Sequence, residues 1–121
     1  MKESFIERAI ENIKAAELLF DNGFFNASAN RAYYSAFHLA IAAIYASGIK
    51  PEIDHRTVQT LFAENYCNRR KIFPSKYKGF LPEMQRHRNN ADYKDGVTKK
   101  TAKQQLKDAK EFFELIIEVI K

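Results

Sequence analysis

Apolar positions along this chain recur at intervals of three and four, not two. Ile6, Ala9, Ile10, Ile13, Ala16 and Phe20 make one such series, which winds onto a single face of an α-helix. Ser4-Phe5-Ile6-Glu7 precedes it in capping-box form, with Ser4 as N-cap and Glu7 at the third helical position. Asp21-Asn22-Gly23 closes it, and Gly23 suits the left-handed position after a helix. The first helix is expected over about Phe5 to Asn22.

A second helix is expected to start near Phe24 to Ala27 and run to Ser47, before Gly48. It is apolar on nearly every side, with small residues (Ala29, Ala32, Ala36, Ala40, Ala43) alternating with large ones (Tyr33, Tyr34, Phe37, Leu39, Ile41, Ile44). Such a helix is central, and its small residues let neighbours approach closely. A third helix is expected over about His55 to Cys67, capped at Asp54, with Val58, Leu61, Phe62 and Tyr66 on one face. A basic connection, Asn68 to Ser75, leads to a fourth helix starting near Ser75 with a distortion, or near Leu81 with Pro82 in its first turn. It ends around Ala91. Thr98 is expected to cap a last helix over about Lys99 to Ile120, whose stripe is Ala102, Leu106, Ala109, Phe113, Ile116 and Ile120. No strand-like alternation and no internal repeat occurs. The expected architecture is all-α: one domain over residues 1–121, an antiparallel up-and-down bundle of four to five helices.

Composition narrows the class of protein. Hydrophobic residues make up 45% and charged residues 29% of 121, ordinary for a soluble globular chain. The longest apolar run, Ala32 to Ala46, is interrupted by Ser35 and His38 and reads as a buried helix, so no membrane span is expected. The single cysteine, Cys67, excludes an intramolecular disulfide, and the start Met1-Lys2-Glu3-Ser4 has no signal-peptide pattern. A cytoplasmic location is the expectation. His38, His55 and His87 fall in three different helices without metal-ligand spacing, so no metal is expected. No glycine-rich phosphate loop is present, and no cofactor is expected. His38 reads as a satisfied core histidine, and His55 as a turn or cap residue.

Charge is unevenly spread. The net charge is +5, yet residues 65–100 carry ten Lys/Arg against three Asp/Glu, while the rest of the chain is slightly acidic. A local basic excess favours a polyanion such as RNA, or a nucleotide phosphate; it is also what a lysine-rich solvated face looks like. Within that region lies the most polar stretch of the chain, Arg86-His87-Arg88-Asn89-Asn90-Ala91-Asp92-Tyr93. Extending the fourth helix's stripe (Tyr77, Phe80, Leu81, Met84) puts Arg88 on the inward face, with Ala91. An inward arginine needs a carboxylate, carbonyls or an anion. Arg31, near the start of the apolar second helix, invites the same question. Its simplest answer is an inter-helix ion pair with Asp92, which could equally pair with Arg88.

Two stretches resemble the HEPN family (higher eukaryotes and prokaryotes nucleotide-binding domains). Asn30-Arg31-Ala32-Tyr33-Tyr34-Ser35-Ala36-Phe37-His38 is similar to that family's second helix, and Arg88-Asn89-Asn90-Ala91-Asp92-Tyr93 to the end of its fourth. The resemblance implies an α-helical bundle that forms homodimers. It also implies kinship with ribonuclease toxins encoded beside a minimal nucleotidyltransferase acting as antitoxin. Catalytic members carry an arginine followed a few residues later by a histidine. Arg88 and Asn89 match, but Tyr93 stands where the shortest form places histidine, and Lys94 and Asp95 where longer forms do. Asp95 also occupies the position of a tyrosine that accepts nucleotides in some of these pairs.

Three readings therefore stand. In the first, Arg86, His87, Arg88, Asn89, Asp92 and Arg31 bind RNA or nucleotide phosphate without catalysis, beside a nucleotidyltransferase partner. In the second, Arg88 with Tyr93 or His87 forms a variant, metal-independent ribonuclease centre. In the third, Arg88, Asp92 and Tyr93 are a structural network holding the fourth helix to the second. The sixteen aromatic residues, many for a small bundle, point to an interface or a ligand pocket.

Overall fold

The computed structural model describes residues 1–69 and 73–120; the side chains of residues 69, 75, 76 and 93 also fall outside that description. Five α-helices form an all-α bundle: α1 (Lys2–Asp21), α2 (Phe25–Ala46), α3 (His55–Phe62), α4 (Phe80–Tyr93) and α5 (Lys99–Ile120). Among the described residues there is no strand, and no helix is long and apolar enough to cross a membrane.

The centre is α2, packed against all four other helices. Thirteen of its residues are buried, many of them alanine and serine. Small side chains permit close backbone approach, and two serines use it. Ser28 Oγ donates to Ala16 O at 2.8 Å, and Ser35 Oγ donates to Ala9 O at 2.7 Å, both buried. These bonds clip α2 antiparallel to α1. Because the accepting carbonyls already serve their own helix, Ser35→Ala is expected to cost about 1 kcal/mol. A urea titration reads that as a lower midpoint at unchanged slope.

Both helix ends around the α1–α2 hairpin follow one rule. Gly23 N donates to Phe20 O at 3.0 Å and Phe24 N to Leu19 O at 2.8 Å; Gly48 N donates to Tyr45 O at 3.0 Å and Ile49 N to Ile44 O at 3.3 Å. Each is a paired closure of the last turn, which needs a positive φ at its glycine, here +82° and +89°. At the other end of α1 the expectation fails. The helix begins at Lys2 and Ser4 lies inside it, so Ser4 is not the N-cap. The extra turn is held by Phe5 N donating to Met1 O, and Lys2 Nζ donates to Ile120 O of α5 at 3.2 Å.

The loop from Ser47 to Asp54 carries the chain back along α2. Asp54 caps α3 by accepting from Thr57 N at 2.9 Å, as expected. His55 then lies against Tyr33, while Tyr66, further on, donates to Ala43 O at 2.5 Å. Thus α3 accompanies α2 in the same sense. The third helix does not stay α-helical to Cys67: residues Ala63–Arg69 are a π-helical segment. Its slower rotation per residue lets three consecutive side chains, Asn65, Tyr66 and Cys67, all turn inward. Within the basic connection that follows, residues 70–72 lie outside the described part. A 3₁₀ turn, Ser75–Gly79, leads into α4, with Pro82 in its first turn.

Most aromatic residues serve the protein's own core. Phe62 packs on Tyr66, Phe73 and Phe112 with ring centroids 5.5, 6.1 and 5.2 Å away, and Phe80 continues the cluster to Tyr77. Gln105 of α5, itself buried, donates to Met84 O of α4 at 2.7 Å and is 3.4 Å from Ala29 O of α2. Thr98 caps α5 by accepting from Thr101 N at 3.1 Å, as expected.

Candidate functional site

The last turns of α4, the first half of α2, the start of α3 and the middle of α1 meet around Tyr34. The sequence places Arg31, Tyr34 and His38 three and seven residues apart, which stacks them on one face of α2. Helix α4 runs antiparallel to α2 and brings Arg88 and Asp92 to the same face.

Arg88 points inward as expected, its side chain only 11% exposed. Nη2 donates to Tyr34 Oη at 3.0 Å, Nη1 donates to Asn89 Oδ1 at 3.0 Å, and Nε lies 3.4 Å from Asp92 Oδ2. Its guanidinium carbon is 5.3 Å from the centroid of Tyr34 and 5.9 Å from that of Tyr33, within range for attraction to the ring quadrupole.

Arg31 answers to no carboxylate among the described residues. The ion pair with Asp92 is not formed, because Asp92 is taken by Arg88 and accepts from Asn30 Nδ2 at 2.8 Å. Arg31 instead donates to Asn30 Oδ1 from Nε and Nη2, at 2.9 and 2.5 Å, and to Asn12 Oδ1 from Nη1 at 3.0 Å. Its guanidinium carbon lies 5.1 Å from the Tyr34 centroid. Two guanidinium groups thus lie against one tyrosine ring, and among the described residues a carboxylate, Asp92, pairs with one of them only.

Two histidines complete the cluster. His38 and His55 each lie 6.1 Å from Tyr34, ring centre to ring centre. His38 Nδ1 is 3.2 Å from Asn12 Nδ2. Burial, then the charges of Arg8 and Arg31, push His38 from 6.5 down to about 4. As pH falls below 6.5 the unfolded chain gains a proton that folded His38 refuses, so stability is lost between pH 6.5 and about 4. His38→Gln is expected to flatten that loss, read by urea unfolding at pH 7.5, 5.5 and 4.5. His55 is not merely a turn residue: its Nδ1 is 2.7 Å from Tyr33 Oη. Burial, then Arg88, lowers His55, while Asp54 opposes them. Tyr33 is raised to about 12 by burial, so its hydroxyl stays protonated.

The other candidates lie outside this cluster. Arg86 is ion-paired with Glu83, and His87 Nε2 is 3.4 Å from Glu83 Oε1, one face away from Arg88. Asn89 serves Arg88. The side chain of Tyr93 lies outside the described residues. No group of ligating side chains that could hold a metal occurs among the described residues.

Tyr34, Asn12 and Asn30 were missed by the sequence reading. The first and last could have been found: Asn30, Tyr34 and His38 recur every fourth residue as a polar and aromatic stripe on an otherwise apolar helix.

The family model of the HEPN domain matches residues 2–120. The chain belongs to the HEPN domain family. Among its relatives, a protein of Methanocaldococcus jannaschii named "Putative toxin MJ0605" is 30% identical over 120 residues, covering 98% of this chain and 88% of the relative. A second from that organism, "Putative toxin MJ0142", is 28% identical over 91 residues, 75% of this chain and 60% of its own length. "UPF0332 protein PH1297" of Pyrococcus horikoshii is 38% identical over 66 residues, 54% of this chain and 46% of the relative.

Proposed function

We propose that this HEPN chain is a toxin-like module that binds the phosphate backbone of RNA, or a nucleotide phosphate, between Arg31 and Arg88. The observation that carries this reading is the pair of guanidinium groups on Tyr34, of which, among the described residues, only Arg88 is paired with a carboxylate. Among the described residues, Arg31 is bonded only to neutral amides, which leaves its charge for an anion to answer. The names of the two Methanocaldococcus relatives support the toxin-like role. With that role we propose the assembly the resemblance implies, a homodimer that acts beside a minimal nucleotidyltransferase partner.

The test is fluorescence anisotropy of labelled RNA against wild type, Arg31→Ala and Arg88→Ala. Weakened binding in both, with a shallower salt dependence, supports the reading; wild-type affinity in both sinks it. A second reading, that Arg88 is purely structural, is favoured by one observation: Asn89 and Tyr34 accept from Nη1 and Nη2, and Asp92 lies 3.4 Å from Nε. In that case Arg88→Ala lowers stability and Arg31→Ala leaves RNA binding as it was.

A further inference from the structure

Helix α5 begins against the electrostatics of its own backbone. Lys99, Lys100, Lys103, Lys107 and Lys110 fall in its first half, and its first turn holds no acidic residue. The amino end of a helix carries partial positive charge, so lysines there are disfavoured. Lysines three and four residues apart also repel one another. Little in the fold offsets this. Lys110 reaches Glu17 of α1 at 3.4 Å, with both side chains largely in water. Lys103 and Lys107 have no ion pair among the described residues. The next carboxylates of α5 take other partners: Asp108 accepts from Gln104 Nε2 at 2.8 Å, and Glu111 accepts from Tyr77 Oη at 2.7 Å. A charge pattern that costs the helix and gains the fold nothing suggests a counterpart outside the chain.

These lysines rim a groove. The last turn of α1 and the first half of α5 bound a cavity of about 370 Å³, lined by Phe20, Asp21, Lys103, Leu106, Lys107 and Lys110. Its apolar lining is Leu106 and Phe20, whose ring leans on that of Phe25 at 5.4 Å. At the same end of α1, two large apolar side chains stand in water. Leu18, one turn before Asp21, is 65% exposed, and Phe24, just past the helix, is 60% exposed. No residue of the arginine cluster takes part.

An apolar cleft with a cationic rim selects its occupant by shape and charge together. A phosphate backbone would gain nothing from Phe20, Leu106, Leu18 or Phe24, and would meet the Asp21 carboxylate. A second copy apposed through this face would set lysines on lysines. A peptide that carries carboxylates around one large apolar side chain satisfies both halves of the surface. We propose that the groove between α1 and α5 is a docking surface for an acidic segment of a partner protein. One large apolar side chain of that segment seats between Phe20 and Leu106, and its carboxylates face Lys103 and Lys107. The buried anchor supplies most of the affinity, and the lysines set which partner is accepted.

The experiment presents a displayed library of random short peptides to the whole chain. Selection is expected to enrich sequences in which Leu, Ile, Phe or Trp is flanked by Asp or Glu. The strongest of these, labelled, is titrated by fluorescence anisotropy. Lys103→Glu/Lys107→Glu is expected to bind it about tenfold or more weakly, as is wild type when the peptide's apolar residue is replaced by alanine. Leu18→Ser/Phe24→Ser, the second variant, is also expected to bind more weakly. Lys50→Glu/Lys78→Glu removes the same charge at exposed lysines outside the groove and should stay within about twofold of wild type. All the substituted side chains are exposed, and circular dichroism verifies that each variant is folded. Failure to enrich acidic, apolar peptides overturns the proposal, as does wild-type affinity in Lys103→Glu/Lys107→Glu. Labelled RNA and vesicles of phosphatidylglycerol with phosphatidylcholine are titrated beside the peptide. If the groove lysines, and not Lys50 and Lys78, govern binding to either of these while the peptide is unaffected, the surface belongs to nucleic acid or membrane and the proposal fails. A self-association that Lys103→Glu/Lys107→Glu abolishes, read by sedimentation equilibrium, assigns the face to a second copy and overturns it too.

Discussion

Replacing Arg31 and Arg88 together by alanine is expected to weaken RNA binding by about 100-fold or more. Each guanidinium–phosphate contact is a charge-assisted hydrogen bond worth about 1.5–3 kcal/mol, or roughly ten- to a hundredfold in affinity. The single variants are more telling than the double, because the two arginines differ in what they leave behind. Arg88→Ala strands the Asp92 carboxylate and removes the donor to Tyr34 Oη across the α2–α4 contact. Asp92 keeps Asn30 and is 27% exposed, so water recovers part of the loss, and the fold is expected to weaken by about 1–2 kcal/mol. Arg31→Ala leaves only two amide oxygens short of a donor, at a partly exposed site, and stability is expected to move less. Anisotropy at several salt concentrations, beside thermal melts, separates the effects. Both singles should bind RNA more weakly, and only Arg88→Ala should melt clearly earlier. An Arg31→Ala protein that binds like wild type, beside an Arg88→Ala protein that is mostly unfolded, would assign the cluster to structure alone.

Phe62→Ala is expected to be the most damaging single truncation, at about 3–5 kcal/mol. Phe62 is 1% exposed and its ring packs on Tyr66, Phe73 and Phe112, which come from three separate stretches of chain. Aromatic neighbours in stacked and tilted geometry cannot collapse into the space, so much of the cavity persists. For a domain of this size the loss corresponds to a melting temperature about 10–20 °C lower. The consequence reaches the candidate site. Helix α3 is only eight residues long, too short to persist without packing, and Phe62 is its last residue. His55 stands at the other end of that helix. Phe62→Ala should therefore loosen His55 from Tyr33 at temperatures below the global melt, and hydrogen exchange in α3 should rise before exchange in α2. Phe62→Leu, which refills most of the volume, should recover the larger part of both losses.

The α-helical bundle was legible because its signals are local. The three- and four-residue recurrence of apolar side chains, Gly23 and Gly48 after their helices, and the Asp54 and Thr98 caps each act within a turn or two of chain. The extra first turn of α1 was not legible. Ser4-Phe5-Ile6-Glu7 satisfies the capping-box pattern, but contacts from Met1 and from Ile120 at the far end of the chain extend the helix past it. The π-helical segment of Ala63–Arg69 was hidden for a related reason. Its wider turn follows from which side chains the core demands, and Phe73 and Ala43 set that demand from outside the segment.

The same division runs through the candidate site. The inward direction of Arg88 follows from the periodicity of α4, a property of the sequence. Its partners do not. The single carboxylate of Asp92 had two claimants, Arg31 and Arg88, and the antiparallel approach of α4 to α2 gave it to Arg88 and to Asn30. The sequence by itself determined the helices, their apolar faces and the charge that one of them turns inward, because those are set by spacing along one chain. Only the tertiary structure decided that His55, delivered by the returning Ser47–Asp54 loop, stands with His38 and two arginines around Tyr34. Arg31 and His38 share a face of α2, but residues 12, 55 and 88 share no periodicity with them that could announce the meeting; it is created by packing four helices around one apolar one.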